Sequence, residues 1–492
     1  MPRWLRAAQA IAIATTLLLP DVAAADPVPD RHSAGFFRAA AREDVEAAWQ
    51  LLRDNHPGTV PELGDSAFRD TLQASITMAR ARVDQVSSLE GYLALMTGFD
   101  VGFGDRHVRT VLNFTIASPS WVGLIIGLRG TRWLVVDENP WPKRAALRGA
   151  ALTGCDGRSA DEVAQERLGG FRATWNIIAQ RGLAAPWLLI DERNPFVKQL
   201  QHCSFDTVAG PVTIPMDWTP IGRDAVIDRI HRASGAGAAG FGLRRVGAGW
   251  WIAIQEFTEN APAVVAAARA QETELKAAPF VVVDVRGNGG GASAIGDDLA
   301  AVLFGKEAVA AIDESECLEA WRVSPGNLAR LEAYPSLLGD RLTPEANARI
   351  QSDIQAMQAA AVAHRPFSRP ITCAKHETPL RKAVGTPRIF LVTDRVCFSS
   401  CLIVVDHFRK LGAVQIGEPT NADTNYQENR RVTLPSGLAA FGVQTAVDPG
   451  EPSRFGPFVP SHAFEGDLTD TAAVEQWVTS SVPAWQASQT DR

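Results

Sequence analysis

The chain has 492 residues, of which 46% are hydrophobic and 21% charged, with a formal net charge of −7 at pH 7. That length exceeds one ordinary domain, and the balance is that of a globular protein with material for a sizeable core. A mildly acidic chain without a basic stripe excludes a nucleic-acid binder, because phosphate contacts need a basic face.

Arg3 and Arg6 precede an apolar run from Ala7 to Leu19, and Ala23-Ala24-Ala25 offers small residues before Asp26. This pattern predicts a secretory signal peptide over residues 1–25, cut after Ala25, and a periplasmic or secreted mature chain. The run is short for a bilayer span, so no membrane span is expected once it is removed.

Residues 26–117 read as helical. Val45, Ala48, Trp49 and Leu52 recur at helical spacing until His56-Pro57-Gly58 stops the pattern. A second apolar helix around Leu89 to Met96 runs into the glycine-rich stretch Gly102-Phe103-Gly104-Asp105-Arg106-His107. Residues 118–219 read as β-rich. Two apolar runs flank Arg129-Gly130, a hairpin signal. A short strand, the turn at Cys155-Asp156-Gly157, and a helix opening at Ser159 with Glu162 three residues on then resemble the second half of a PDZ module.

Residues 220–475 read as α/β, with a polar, alanine-rich helical insertion at about 315–370 and a tail over 476–492. Strands are expected at Trp250–Phe257, Pro279–Asp284, Arg388–Thr393 and Ala413–Ile416, and helices at Ala261–Ala277 and Leu402–Leu411. Strands that are apolar throughout, alternating with helices, imply a largely parallel sheet buried on both faces.

Two segments carry the chemistry. In the first, a buried strand ends in Arg286-Gly287-Asn288-Gly289-Gly290-Gly291. So many glycines cost backbone entropy, and close approach of N–H groups to an anionic atom is a reason to carry them. No GK[ST] follows, which excludes a P-loop. In the second, a strand ending at Thr393 is followed by Cys397-Phe398-Ser399-Ser400 and a helix. A serine at such a turn either caps the helix or is an exposed nucleophile at the positive end of its dipole.

Taken together, "DVRGNGGG", then "TDRVCFSS" about a hundred residues later, then "IGEPT" resemble peptidase family S41 over roughly residues 245–470. This family holds the tail-specific and C-terminal-processing proteases and the tricorn core. The resemblance implies a crotonase/ClpP-like α/β core, with an N-terminal helical domain and a small β-rich PDZ-like domain. It implies a serine peptidase acting on polypeptides, with Ser399 as nucleophile. It also implies an oxyanion hole from the backbone N–H groups of Ser400, Gly289 and Gly290.

The sequence departs from the branch that uses a lysine base, because Asp423 stands at the lysine's position and no lysine follows. The other branch uses a histidine in an upstream DGHT-like element, which maps to His107 within Asp105-Arg106-His107. Histidine suits the role because its ordinary pKa lies near neutrality. His407, eight residues past Ser399 on the same helix, would lie about 12 Å up the axis, too far to reach the hydroxyl. Glu451, upstream of Gly456-Pro457-Phe458-Val459-Pro460, is expected to orient the histidine, with Asp105 as a local alternative.

No cysteine pair has zinc-ligand spacing with a second pair, so no metal or other cofactor is expected. Among the six cysteines, Cys317 and Cys373 bracket the insertion and are expected to be bonded. Cys397 and Cys401 read as small packing residues, and a bond between them is expected to distort the start of the helix. A non-catalytic ligand- or peptide-binding protein on the same fold is the competing reading; it need not keep serine, histidine and glycine loop together.

Overall fold

The computed structural model describes residues 33–114, 118–139, 146–234, 239–312, 318–339, 342–372, 387–449 and 455–487. The expected signal peptide, Glu451, Cys317 and Cys373 lie outside these residues.

Three helices open the fold: α1 (Ala34–Asn55), α2 (Ser66–Arg82) and α3 (Leu89–Asp100). Each has a side-chain N-cap, from Ser33, Asp65 and Ser88 respectively. The spacing read from the sequence is the buried stripe of α1, through Val45, Ala48 and Leu52. Trp49 sits at its rim beneath Arg53 and Arg80. The first strand, β1 (Thr110–Leu112), follows directly after His107.

The β-rich segment forms a sheet from β2 (Leu124–Arg129), β3 (Arg132–Glu138), β4 (Ala151–Cys155), β5 (His202–Thr207) and β6 (Gly210–Pro215). Gly130 takes the positive φ of the β2–β3 turn. Ser159 and Glu162 form a complete capping box on a short helix. Cys155 and Cys203 face one another across β4 and β5 and are disulfide-bonded. Helix α4 (Arg223–Ser234) leads out of this region.

The central sheet has six strands in the order β7 (Phe241–Val246), β8 (Gly249–Ile254), β9 (Phe280–Asp284), β10 (Arg388–Thr393), β11 (Val414–Gly417) and, at the far edge, His462–Ala463. All pairings are parallel except β7 with β8. The reason for uniformly apolar strands is visible in the two cores. Val281, Val283, Ile389 and Leu391 point into one, which contains Val265, Leu299 and Val404 from three helices. Phe280, Val282, Phe390 and Val392 point into the other, with Val474, Val478 and Val482. Those valines belong to a helix at Thr471–Ala487, so residues 476–487 are not the expected tail: they cover the second face of the sheet. The helix expected over Ala261–Ala277 is two, broken at Gln271.

The insertion contributes two helices, Pro325–Leu338 and Pro344–Val362, packed around Trp321, Tyr334 and Met357. The sequence reading had no counterpart for the long hairpin of β12 (Tyr426–Thr433) and β13 (Ala439–Val447). Its Tyr426, Phe441 and Val443 share one core with the N-terminal helices. β1 pairs antiparallel with β13, Thr110 opposite Phe441. This pairing brings the end of the helical region against the α/β core.

Candidate active site

The glycine loop is held by its own polar residues. Asp284 and Arg286 form a fully buried ion pair at 2.7 Å, and Arg286 also donates to the Leu468 carbonyl. Gly287 N–H donates to Asp394 Oδ2 at 2.9 Å, tying the loop to the end of β10. Burial and the charge of Glu418 push Asp394 up to about 7, against the hydrogen bonds it accepts. Asn288 donates to the Ile254 carbonyl and accepts from Gly290 N–H at 2.9 Å. Gly291 has φ +129°, and a Cβ there would lie 2.2 Å from the Phe257 carbonyl oxygen, so only glycine fits.

Ser399 stands between β10 and the helix Ser400–Lys410, with φ 57° and ψ −129°. A non-glycine residue at positive φ is strained and must be held by its surroundings. Here the surroundings are specific. Cys397 and Cys401 are disulfide-bonded across Ser399, both fully buried. Ser400 Oγ donates to the Gly291 carbonyl at 2.5 Å. A Cβ on Gly290 would come within 3.0 Å of Ser399 Cβ. The two cysteines are therefore bonded and not merely the small packing residues expected, and the expectation that such a bond would distort the helix start does not hold either. Their Cα atoms are 5.4 Å apart over the first turn, and Leu402 N–H still bonds the Ser399 carbonyl.

His107 reaches this turn from the other end of the sequence, its ring centroid 5.0 Å from that of Phe398. Its backbone is clamped by the hairpin: Asn429 donates to the His107 carbonyl at 3.1 Å, and a Cβ on Gly442 would meet that same oxygen at 2.1 Å. Its Nδ1 lies 3.0 Å from Asp105 Oδ1 and 3.6 Å from Asp423 Oδ1. With both neighbours carboxylates, Nδ1 keeps its proton in the neutral form of the ring, and Nε2 is the nitrogen that gains or loses one. Thr424 Oγ1 donates to the second oxygen of Asp105 at 2.9 Å.

Burial of the His107 ring disfavours its charge, but the Asp423 charge and the Asp105 hydrogen bond outweigh it and raise the pKa to about 10. Asp105, although buried, is held below the usual carboxylate range by its bond to His107. Burial raises Asp423, with the Asp105 charge adding to it against His107. His56 is a different case: fully buried against Phe68, it is driven down to about 3 by desolvation and stays neutral. His407 is engaged with Asp297 at 2.7 Å, away from the serine, as its helical position required.

The structure therefore brings Ser399, Ser400, the glycine loop and His107 to one place. Of the three expected oxyanion donors, Gly290 is committed to Asn288, which leaves two. Ser400 N–H opens a helix and has no intrahelical acceptor, and Gly289 N–H is exposed, with no partner among the described residues. The carboxylates beside His107 are Asp105 and Asp423. Asp423 was legible only as the residue replacing a lysine; an acid at the slot of a missing base is a signal for where an imidazole must dock. Thr424, Asn429 and Gly442 had no sequence signal. Asp105, His107 and Asp423 place ligand atoms within 4.8 Å of one another, a geometry that could also hold a cation. Their hydrogen bonds already account for it without one.

Residues 251–450 match the model described as peptidase family S41. The structure is similar to that of mature CPAF complexed with lactacystin, with a TM-score of 0.55 at 12% identity, covering 90% of this chain and 98% of that one. Mature CPAF alone gives 0.54 at 13% identity, covering 89% and 96%. At such identity the likeness speaks to the fold. A sequence comparison with curated proteins returned no match.

Proposed function

Because residues 251–450 carry a peptidase family S41 domain, we propose that this chain is an exported serine endopeptidase whose nucleophile is Ser399 and whose general base is His107. The observation that carries the reading is the strained Ser399, at φ 57° on a helix N-terminus, packed on the glycine loop and next in the chain to Phe398, whose ring meets an imidazole oriented by two carboxylates. Structural packing alone does not need these together.

In the first step His107 Nε2 takes the Ser399 hydroxyl proton as Oγ attacks the scissile carbonyl carbon. The developing oxyanion is received by the N–H groups of Ser400 and Gly289. His107 then gives its proton to the leaving amine, and a water activated by the same ring hydrolyses the acyl-enzyme. Asp105 and Asp423 hold the ring in the tautomer this needs and stabilise its charged form. Asp105, the local alternative of the sequence reading, orients the ring together with Asp423; Glu451 lies outside the described residues. Export rests on the amino-terminal pattern of residues 1–25. Among the described residues no helix is long and apolar enough to cross a membrane.

The test is labelling by a fluorophosphonate probe with mapping of the modified peptide, alongside cleavage of an unfolded protein substrate. Modification of Ser399, absent in Ser399→Ala and His107→Ala, is the expected result. A wild-type protein that neither labels nor cleaves is a carrier on a peptidase fold. The amino terminus of the protein recovered outside the cytoplasm should be Asp26.

A further inference from the structure

A cavity of about 440 Å³ is lined by Leu93, Arg109, Val111, Leu112, Phe114 and Arg223, with Thr110 between them, so its strand wall begins two residues after His107 in the chain. That volume is within the range of ligand sites. One of its walls is the open edge of β1. Gly442 N–H bonds the Arg109 carbonyl and Asn113 N–H the Leu438 carbonyl, so Arg109, Val111 and Asn113 face β13. Thr110 and Leu112 face the other way. Thr110 N–H is taken by Asp100 Oδ2 at 2.6 Å. The Thr110 carbonyl and both backbone groups of Leu112 have no hydrogen-bond partner among the described residues, which suits them to a partner strand.

Two arginines, Arg109 and Arg223, line the cavity, and the carboxylate nearest the edge, Asp100, is engaged with Thr110 N–H. Arg109 makes no ion pair among the described residues. Arg106 lies over the Phe398 ring at 5.3 Å, next to the nucleophile. Burial and then the charge of a neighbouring arginine lower both: Arg109 acts on Arg106, and Arg431 acts on Arg109. Across the cavity, Arg223 Nη1 is buried without a hydrogen bond, with Glu192 at 3.5 Å as its carboxylate. Glu192 is already paired with Arg172. Thr110 Oγ1 is likewise buried and unpartnered. Buried donors left unsatisfied are costly, and clustered like charges add to the cost unless an anion enters.

We propose that this cavity is a substrate subsite for an acidic side chain: the polypeptide lies as an added strand along the Thr110–Leu112 edge and seats a glutamate or aspartate between Arg109 and Arg223. The inference rests on the peptidase reading above and names the class of polypeptide it takes. Backbone pairing on β1 supplies affinity independent of sequence, and the two guanidinium groups supply the selection. The apolar walls of Leu93, Leu112 and Phe114 receive the methylenes of the side chain.

The test uses internally quenched peptides, each made with an amidated and with a free carboxyl terminus, with glutamate, glutamine or lysine placed in turn at each position around the cleaved bond. At one position the wild type should prefer glutamate to glutamine by about tenfold in kcat/KM at low salt, and the ratio should shrink as ionic strength rises. Arg109→Gln and Arg223→Gln should each lower that ratio, and Arg109→Glu/Arg223→Glu should turn the preference towards lysine. The peptide and salt series on the wild type stand even if a variant fails to fold. Equal cleavage of all three peptides at every position overturns the proposal and leaves the peptidase intact. A preference seen only in peptides with a free terminal carboxylate also overturns it, because the arginines then read a chain end. No cleavage of any peptide and no labelling of Ser399 means that the peptidase reading itself has failed.

Discussion

Replacing Asp423 by asparagine should move the ionisation of the base and lower the rate in a pH-dependent way. His107 is raised from its ordinary value of 6.5 to about 10. At ~1.4 kcal/mol per pH unit this corresponds to about 5 kcal/mol in favour of the imidazolium. The stabilisation is fully present below pH 6.5 and is lost as pH rises through about 10. A general base must be neutral, so wild-type kcat/KM should climb through the alkaline range rather than level off near neutrality. Asp105 at 3.0 Å and Asp423 at 3.6 Å share the effect. If Asp423 supplies about half, Asp423→Asn removes about 2 kcal/mol and brings the limb down by one to two pH units. The same interaction stabilises the imidazolium that forms in the transition state, so the alkaline plateau should fall by roughly 30-fold. At neutral pH the two effects oppose, and wild type and variant should differ much less. The assay is kcat/KM for a fluorogenic peptide measured across the neutral to alkaline range, with thermal unfolding as a folding control. A variant whose limb coincides with that of the wild type would refute the assignment of Asp423 to the base, whatever its overall activity.

Ser399→Ala should abolish cleavage with the fold intact, whereas Ser400→Ala keeps its N–H and loses only the bond to Gly291, costing about 1 kcal/mol of stability with activity retained; kinetics and melting of both variants decide. His107→Ala should be as damaging as Ser399→Ala, with no further loss in the double mutant, because members of one catalytic unit fail together. The two disulfides should behave oppositely. Cys155–Cys203 closes a separation of 48 residues and Cys397–Cys401 one of 4, so removing them should cost about 4 and about 2 kcal/mol in the chain-entropy model. Only the second holds the Ser399 turn, so Cys397→Ser/Cys401→Ser should lose more activity while losing less stability in denaturant titration; the reverse order would mean that the turn does not depend on the bond. Gly291→Ala forces a Cβ to within 2.2 Å of the Phe257 carbonyl at positive φ and should destabilise by several kcal/mol, since backbone cannot yield as a side chain does; an unchanged melting temperature would contradict the loop geometry.

The elements of the core were legible because each has a local physical signature. Buried parallel strands such as Phe280–Asp284 and Arg388–Thr393 are apolar throughout, and the glycine loop and the serine turn announce conformations that ordinary residues avoid. A family resemblance joined those two segments to His107. Asp105 was legible as a local alternative two residues from His107, whereas the part of Asp423, the rim of arginines and the Cys397–Cys401 bond were decided by the folded structure. The sequence reading placed no strand at Tyr426–Thr433 or Ala439–Val447, and nothing local says that the second will pair with Thr110–Leu112. That pairing, together with the core shared by Phe441 and the first three helices, brings His107 against Phe398. Asp423 becomes a partner of the imidazole only through it. A charge placed by a strand register three hundred residues away in sequence leaves no local trace, because its energy comes from a neighbour the chain meets only on folding.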